Sequence, residues 1–268
     1  MANTLTGQRV VVVGASAGIG REIARQAIRD GASVVVAARR LERLTELVVQ
    51  AGGGIPIAVD ICDPDSCTNL AKQVRAELGA ADLVVCTAGY SPLRSFEELT
   101  IDVWRRVMDI NVIGIHQLVR SLLAVLSPGA LTAVMSSEST LQPRNDLGAY
   151  GSSKAALEFS MRIWRMEQAP LRFTTLIVGG TFPTDFGADF EIARLLPAMQ
   201  SWTRHGTTQE KLMTPEGVAS AVVGSLTSII DQPDISIDSI VIRSPSPVVG
   251  DSAHLEAEAA EDLARLNR

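Results

Sequence analysis

Six short apolar runs between residue 9 and about residue 180 alternate with amphipathic stretches long enough to return along a sheet. The runs read as strands at Arg9–Val13, Ser33–Ala38, 55–59, 82–86, 130–135 and 173–178. The stretches between them read as helices at Gly18–Arg29, 41–49, Pro64–Leu78, about 101–126 and about 149–168. This βαβ repetition runs without a compositional break, so it specifies an open, doubly wound parallel sheet with right-handed crossovers. Its strands are almost purely apolar, as strands covered on both faces by helices must be. Aromatic residues are 4% of the chain against 46% hydrophobic, so Ala, Val, Leu and Ile must build the core.

After Gly180 the rhythm changes. Residues 181–213 carry Phe182, Phe186, Phe190 and Trp202 and show no obvious strand. A helix then opens where Thr214 can cap and Pro215 suits the first turn. A seventh strand over 235–242 closes the sheet. The expectation is a single domain over 1–250, with 251–268 an Ala/Glu-rich surface extension.

Charge and cysteine content narrow the function classes. The net charge is −6 with no basic block, which argues against nucleic-acid partners. No run reads as the roughly 18 uncharged apolar residues of a membrane span, and residues 1–9 lack the pattern of a signal peptide. Cys62, Cys67 and Cys86 form no CxxC pair, which argues against disulfides and a zinc site and places the chain in a reducing, cytoplasmic setting. All three are expected to be small buried hydrophobes. No metal is expected.

The turn after the first strand, Val13 to Gly20, has glycines at 14, 18 and 20. Gly14 permits a sharp turn, Gly18 lets the backbone approach a pyrophosphate, and Gly20 lets helix and strand pack closely. The helix beginning there offers free N–H groups and a positive dipole end. Such a turn also occurs without any nucleotide. The next strand ends Ala37-Ala38-Arg39-Arg40, with no carboxylate to bind a ribose 2′-hydroxyl. Arg39 can instead meet a 2′-phosphate through its guanidinium fork, so NADP(H) is favoured over NAD(H). Arg40 can share the role and Ser16 can add a hydroxyl.

Tyr150 and Lys154 stand four apart at the start of a helical stretch, on one face. A phenol titrates near ~10, and an adjacent ammonium favours its ionised form, which suits general acid–base work. A surface cation–aromatic pair has the same spacing.

With these residues in place the chain, over about residues 7–242, resembles the short-chain dehydrogenase/reductase family. The matching residues are Gly14, Gly18, Ile19 and Gly20 in the glycine turn, Asp60 after strand three, Thr87-Ala88-Gly89 after strand four, then Asn111, Ser137, Tyr150 and Lys154. The resemblance implies a Rossmann-type, seven-stranded α/β fold and hydride transfer between NADP(H) and a carbonyl or alcohol. It makes Tyr150 the general acid or base, and gives Lys154 the nicotinamide ribose and the lowering of the tyrosine pKa. Ser137 would bind the substrate oxygen, and Asn111 would kink its helix and fix a relay water. Asp60 would hold the adenine, Gly89 would face the adenosine ribose, Ala88 would belong to the cofactor site, and Thr184 would bind the carboxamide. The family also pairs copies through the two long helices, implying a homodimer or homotetramer. A non-catalytic NADP(H)-binding sensor or scaffold is the competing expectation.

The chain departs from the family in three places. Val13 replaces a threonine, and Cys86-Thr87 replaces an Asn-Asn pair, which should weaken the bracing of strand four. Gly179-Gly180 stands where the family has Pro-Gly, which should loosen that loop. Residues 184–214 should form a lid over an apolar ligand, with His205 a lid residue rather than a catalyst.

Overall fold

A computed structural model describes residues 5–188 and 190–248. Seven strands form one parallel sheet in the order β3-β2-β1-β4-β5-β6-β7. They are β1 (Arg9–Val13), β2 (Ser33–Ala38), β3 (Ile55–Ala58), β4 (Ala81–Cys86), β5 (Leu126–Ser137), β6 (Arg172–Val178) and β7 (Ser239–Ile242). The chain winds outward from β1 to β3, then returns to lay β4 on the other side of β1. The crevice beyond the carboxyl ends of β1 and β4 is therefore the switch point at which such sheets bind ligands.

Both faces of β1 are buried, which explains its unbroken valines. Val10 and Val12 pack with Ile23, Ala27, Leu44 and Leu226 on one side. Val11 and Val13 pack with Leu70, Leu118, Leu157 and Phe173 on the other. The first layer is supplied by α1 (Gly18–Arg29), α2 (Leu41–Ala51) and α8 (Pro215–Ile230). The second is supplied by α3 (Pro64–Leu78), α5 (Ile115–Leu122) and α6 (Gly148–Glu167). Thr214 caps α8 as expected, its hydroxyl accepting from Gly217 N at 3.1 Å.

The stretch 101–126 is not one α-helix. It is α4 (Ile101–Met108), a π-turn at Asp109–Gly114, α5, and a 3₁₀ turn at Leu123–Val125. By length and composition alone Ile101–Val125 is long and apolar enough to span a membrane, contrary to the expectation that no run comes near. Its apolar residues have another use: Ile115, Leu118, Val119 and Leu122 are buried against the sheet. β5 starts earlier than expected, because residues 127–129, which look like a turn, continue the strand past a register shift against β4. β7 is shorter, and Ile235 and Ile237 lie outside it.

The interval after β6 holds a helix the sequence did not suggest, α7 (Ile192–Arg204), with Pro197 inside it. The 251–268 extension lies outside the described residues. Cys67 and Cys86 are buried, but Cys62 is exposed, because it follows the end of β3 on the open side of the crevice.

Candidate active site

The glycine turn is as crowded as its chemistry requires. Gly14 has φ +90°, and a Cβ there would lie 2.5 Å from Thr87 Oγ1 and 2.8 Å from Ala88 N. A Cβ on Gly20 would strike the same hydroxyl. Thr87 also replaces the lost bracing: its N–H donates to Val13 O at 2.8 Å and its hydroxyl to the same oxygen at 3.2 Å. The expected weakening of strand four is thus corrected. Ala17 begins α1 with no side-chain cap, so the N–H groups of the first turn remain for an anionic ligand. This cradle fits a dinucleotide pyrophosphate.

Beside it a cavity of about 620 Å³ runs along the switch point. Every candidate cofactor residue, Gly14, Ser16, Gly18, Ile19, Gly20, Arg39, Asp60, Ala88, Gly89 and Thr184, borders it. Arg39 is exposed at the end of β2. Arg40 is the better anchored of the pair, donating to Ser16 Oγ at 3.0 Å and pairing with Asp185 at 2.7 Å. Asp60 accepts from Cys62 N at 2.9 Å, which sets the turn after β3. Thr184 packs on Gly18, and its hydroxyl accepts from Phe186 N at 3.4 Å.

The reacting end is assembled from β5 and α6. Ser137 ends β5, and Tyr150 and Lys154 lie one turn apart near the start of α6. All three face the cavity and are almost fully buried. Burial pushes the Tyr150 phenol up to about 12, against a hydrogen bond with Ser137 and the charge of Arg144. Burial likewise pulls Lys154 down to about 8, opposed by Cys86 and Glu158. The expected lowering of the tyrosine by the lysine does not prevail. The ammonium sits 5.7 Å from the ring centroid and donates to Met135 O at 2.8 Å, and desolvation outweighs the attraction.

Asn111 lies in the π-turn and is fully buried. Its Oδ1 accepts from Tyr90 N and its Nδ2 donates to Tyr90 O, both at 2.8 Å, while Nδ2 also donates to Ser153 at 2.9 Å. The helix irregularity expected at this residue is present, and its side chain ties the loop after β4 to α6. Gly89 leaves room for the lysine: a Cβ there would sit 3.3 Å from Nζ.

Three features escaped sequence reasoning. Phe186 lies edge-on to Tyr150 at 5.0 Å. Asp185 bridges Arg40 and Arg43. Glu138, next to Ser137, is buried with Arg144. The loop at 179–180, expected to be loose, is held: Gly179 N donates to Ile242 O at 2.9 Å and Met213 N to Gly180 O at 3.0 Å. His205 ends α7 and does not border the cavity. Among the described residues no His/Cys/Asp/Glu cluster suits a metal.

A parallel sheet with a glycine cradle at its switch point and a buried tyrosine–lysine pair beside it defines a dinucleotide-binding α/β protein. The chain matches the short chain dehydrogenase family over residues 8–192 and belongs to it. A short chain dehydrogenase of Pseudocercospora fijiensis is 38% identical over 161 residues, 57% of this chain and 52% of that protein. The matched part thus spans about half the length of that relative. The D-erythrulose reductase of Gallus gallus is 32% identical over 189 residues, 68% of this chain and 74% of that protein. In fold, the chain resembles an alcohol dehydrogenase from Thermococcus sibiricus complexed with 5-hydroxy-NADP. The TM-score is 0.76 at 24% identity, over 89% of this chain and 97% of that one. The family binds nicotinamide cofactors.

Proposed function

We propose that the protein is an NADP(H)-dependent oxidoreductase acting on a carbonyl or alcohol, with Tyr150 as its general acid and base. The observation that carries this reading is the convergence of Ser137, Tyr150 and Lys154 on the cavity that also contains the glycine cradle. When bound, the nicotinamide supplies a hydride to the carbonyl carbon or accepts one from the alcohol carbon. Tyr150 gives its proton to the carbonyl oxygen in reduction and recovers it in oxidation. Protonated phenol is the form that burial favours, so the acid role needs no prior ionisation. Ser137 donates to the same oxygen and stabilises the charge that builds there. Lys154 holds the ribose hydroxyls of the cofactor, and Arg39 and Arg40 hold its 2′-phosphate. Asn111 keeps the Tyr90 loop against α6, which fixes the wall of the site.

The test is oxidation of NADPH by the purified protein against a panel of ketones, aldehydes and quinones. Tyr150→Phe should retain cofactor binding and lose turnover by ~10²–10⁴-fold. Turnover near that of the wild type would remove Tyr150 from its role. Tight NADPH binding without turnover of any carbonyl would favour a sensor instead. We also propose that two or four copies assemble through the outer faces of the α4–α5 stretch and α6.

A further inference from the structure

Directly behind Ser137, at the edge of the cavity, lies a group of charges that hydride transfer does not use. Glu138 is 2% exposed in its side chain, and it faces two guanidinium groups. Arg144 Nη2 donates to Glu138 Oε1 and to Thr207 O, the latter at 2.7 Å. Arg243 Nε lies 3.5 Å from Glu138 Oε2. One carboxylate against two guanidiniums leaves the group a net positive charge, and of the three only Arg144 borders the cavity.

Arg144 is only partly satisfied. Its side chain is 12% exposed, yet its Nε is buried without a partner. Nη1 makes no hydrogen bond among the described residues, and Arg144 borders the cavity together with Ser137, Ser139 and Tyr150. A buried cation with unfilled donors is costly unless something anionic completes it. The cavity itself supplies nothing. Its carboxylates are Asp60, at the foot of β3, and Asp185, which is held by Arg40 and Arg43. Leu147 and Phe186 add apolar surface to the same cavity.

Gly179 belongs to the same arrangement. A Cβ at that position would collide with Glu138 Oε2, so the Glu138 carboxylate occupies the space that the family's proline would need. The glycine at 179 thus leaves room for the buried glutamate, and it is Glu138, with Thr207 O, that holds Arg144.

We propose that Arg144 is a specificity-determining residue, and that the substrate carries a carboxylate in addition to its carbonyl or alcohol. The planar guanidinium suits that partner, and Trp202, 5.9 Å from its centre, backs it. This inference rests on the oxidoreductase reading above and deepens it.

The test compares 2-oxo and 3-oxo carboxylic acids with their methyl esters. The wild type should favour the acids by ~10-fold or more in kcat/KM, as expected of a charge-assisted contact. In Arg144→Met the acid-to-ester ratio should fall to about one, mainly through a higher KM for the acids. Arg144→Lys should keep part of the preference. A purely structural role would lower acids and esters by the same factor, and that result would overturn the proposal. So would a wild type indifferent to the ester. Should Arg144→Met not fold with Glu138 left half-paired, Arg144→Met/Glu138→Gln reads the same ratio. Calorimetry with NADP⁺-saturated protein separates the two readings. Acid binding over ester without turnover of either would sink the oxidoreductase reading and keep the carboxylate site. Turnover with no acid preference would do the reverse.

Discussion

Lys154 shows how far burial governs the individual groups of this site. An exposed lysine titrates near 10.5, whereas burial brings Lys154 to about 8. Between those values the unfolded chain holds the extra proton, so stability rises with pH there. Cys67 and Cys86, pushed up to about 11 from 9.0, act in the opposite sense above pH 9. Comparison with Lys154→Met isolates the lysine. Relative to that variant, the wild type should gain about 2 kcal/mol between pH 8 and pH 10 in denaturant titrations. A flat difference would mean the ammonium is not desolvated. The arginines after β2 give a second expectation. NADPH should bind ~10-fold or more tightly than NADH, a modest preference because Arg40 is half-open to solvent and Arg39 is exposed. Arg39→Ala and Arg40→Ala should each reduce that preference in fluorescence titrations, and Asp185→Asn should strengthen NADPH binding by releasing Arg40 from a competitor. Preference unchanged in both arginine variants would place the phosphate elsewhere. Tyr150 and Lys154 were legible in the sequence because one helical turn brings them together. The pairing of Arg40 with Asp185 was not, since the two lie far apart along the chain and no local pattern records their meeting.

At the scale of elements, legibility followed burial. The ends of β1, α1 and β2 agree with the apolar pattern because helices cover both faces of the sheet there. The π-turn at Asp109–Gly114 was invisible in the apolar spacing, because one extra residue in a turn hardly disturbs it, and only the family resemblance at Asn111 pointed to a kink there. α7 was hidden for a different reason. It carries an internal proline and no side-chain cap, so neither of the usual signals marks its start. The end of α8 depends on a residue whose role is invisible in sequence. Arg172, buried at the start of β6, donates to Gly129 O at 2.9 Å, Ile229 O at 2.6 Å and Ile230 O at 3.0 Å. It thereby fills the last carbonyls of α8 and joins them to Gly129 in the first part of β5. Arg172→Met should cost about 3 kcal/mol or more, because several buried carbonyls lose a charged donor together. Chemical denaturation would register it, and a loss below about 0.5 kcal/mol would mean that water replaces the guanidinium.

For the whole molecule, the sheet is closed on both faces, but α6 is not closed on its outer side. Phe159, Ile163 and Met166 follow one another at helical spacing and are 62%, 37% and 78% exposed. The inner face of the same helix is filled by Leu157, Met161 and Trp164, so the core formed by the described residues does not use the outer stripe. Ile113 adds a further apolar side chain from the π-turn, 49% exposed, on an element that packs against α6. A stripe on an otherwise charged surface is expected to be covered, and a second copy is the natural partner because a two-fold axis brings the stripe onto itself. Such a contact needs about 1,000 Å² or more of buried surface, which two neighbouring helices from each copy can supply. The site itself lies at the carboxyl ends of the strands and does not include these residues. Phe159→Glu and Met166→Glu should therefore break the assembly without unfolding the subunit. Light scattering at micromolar concentration should give a dimer or tetramer for the wild type and a smaller species for the variants, with circular dichroism unchanged. A monomeric wild type would remove the interface, and an assembly that survives both charges would move it to another face.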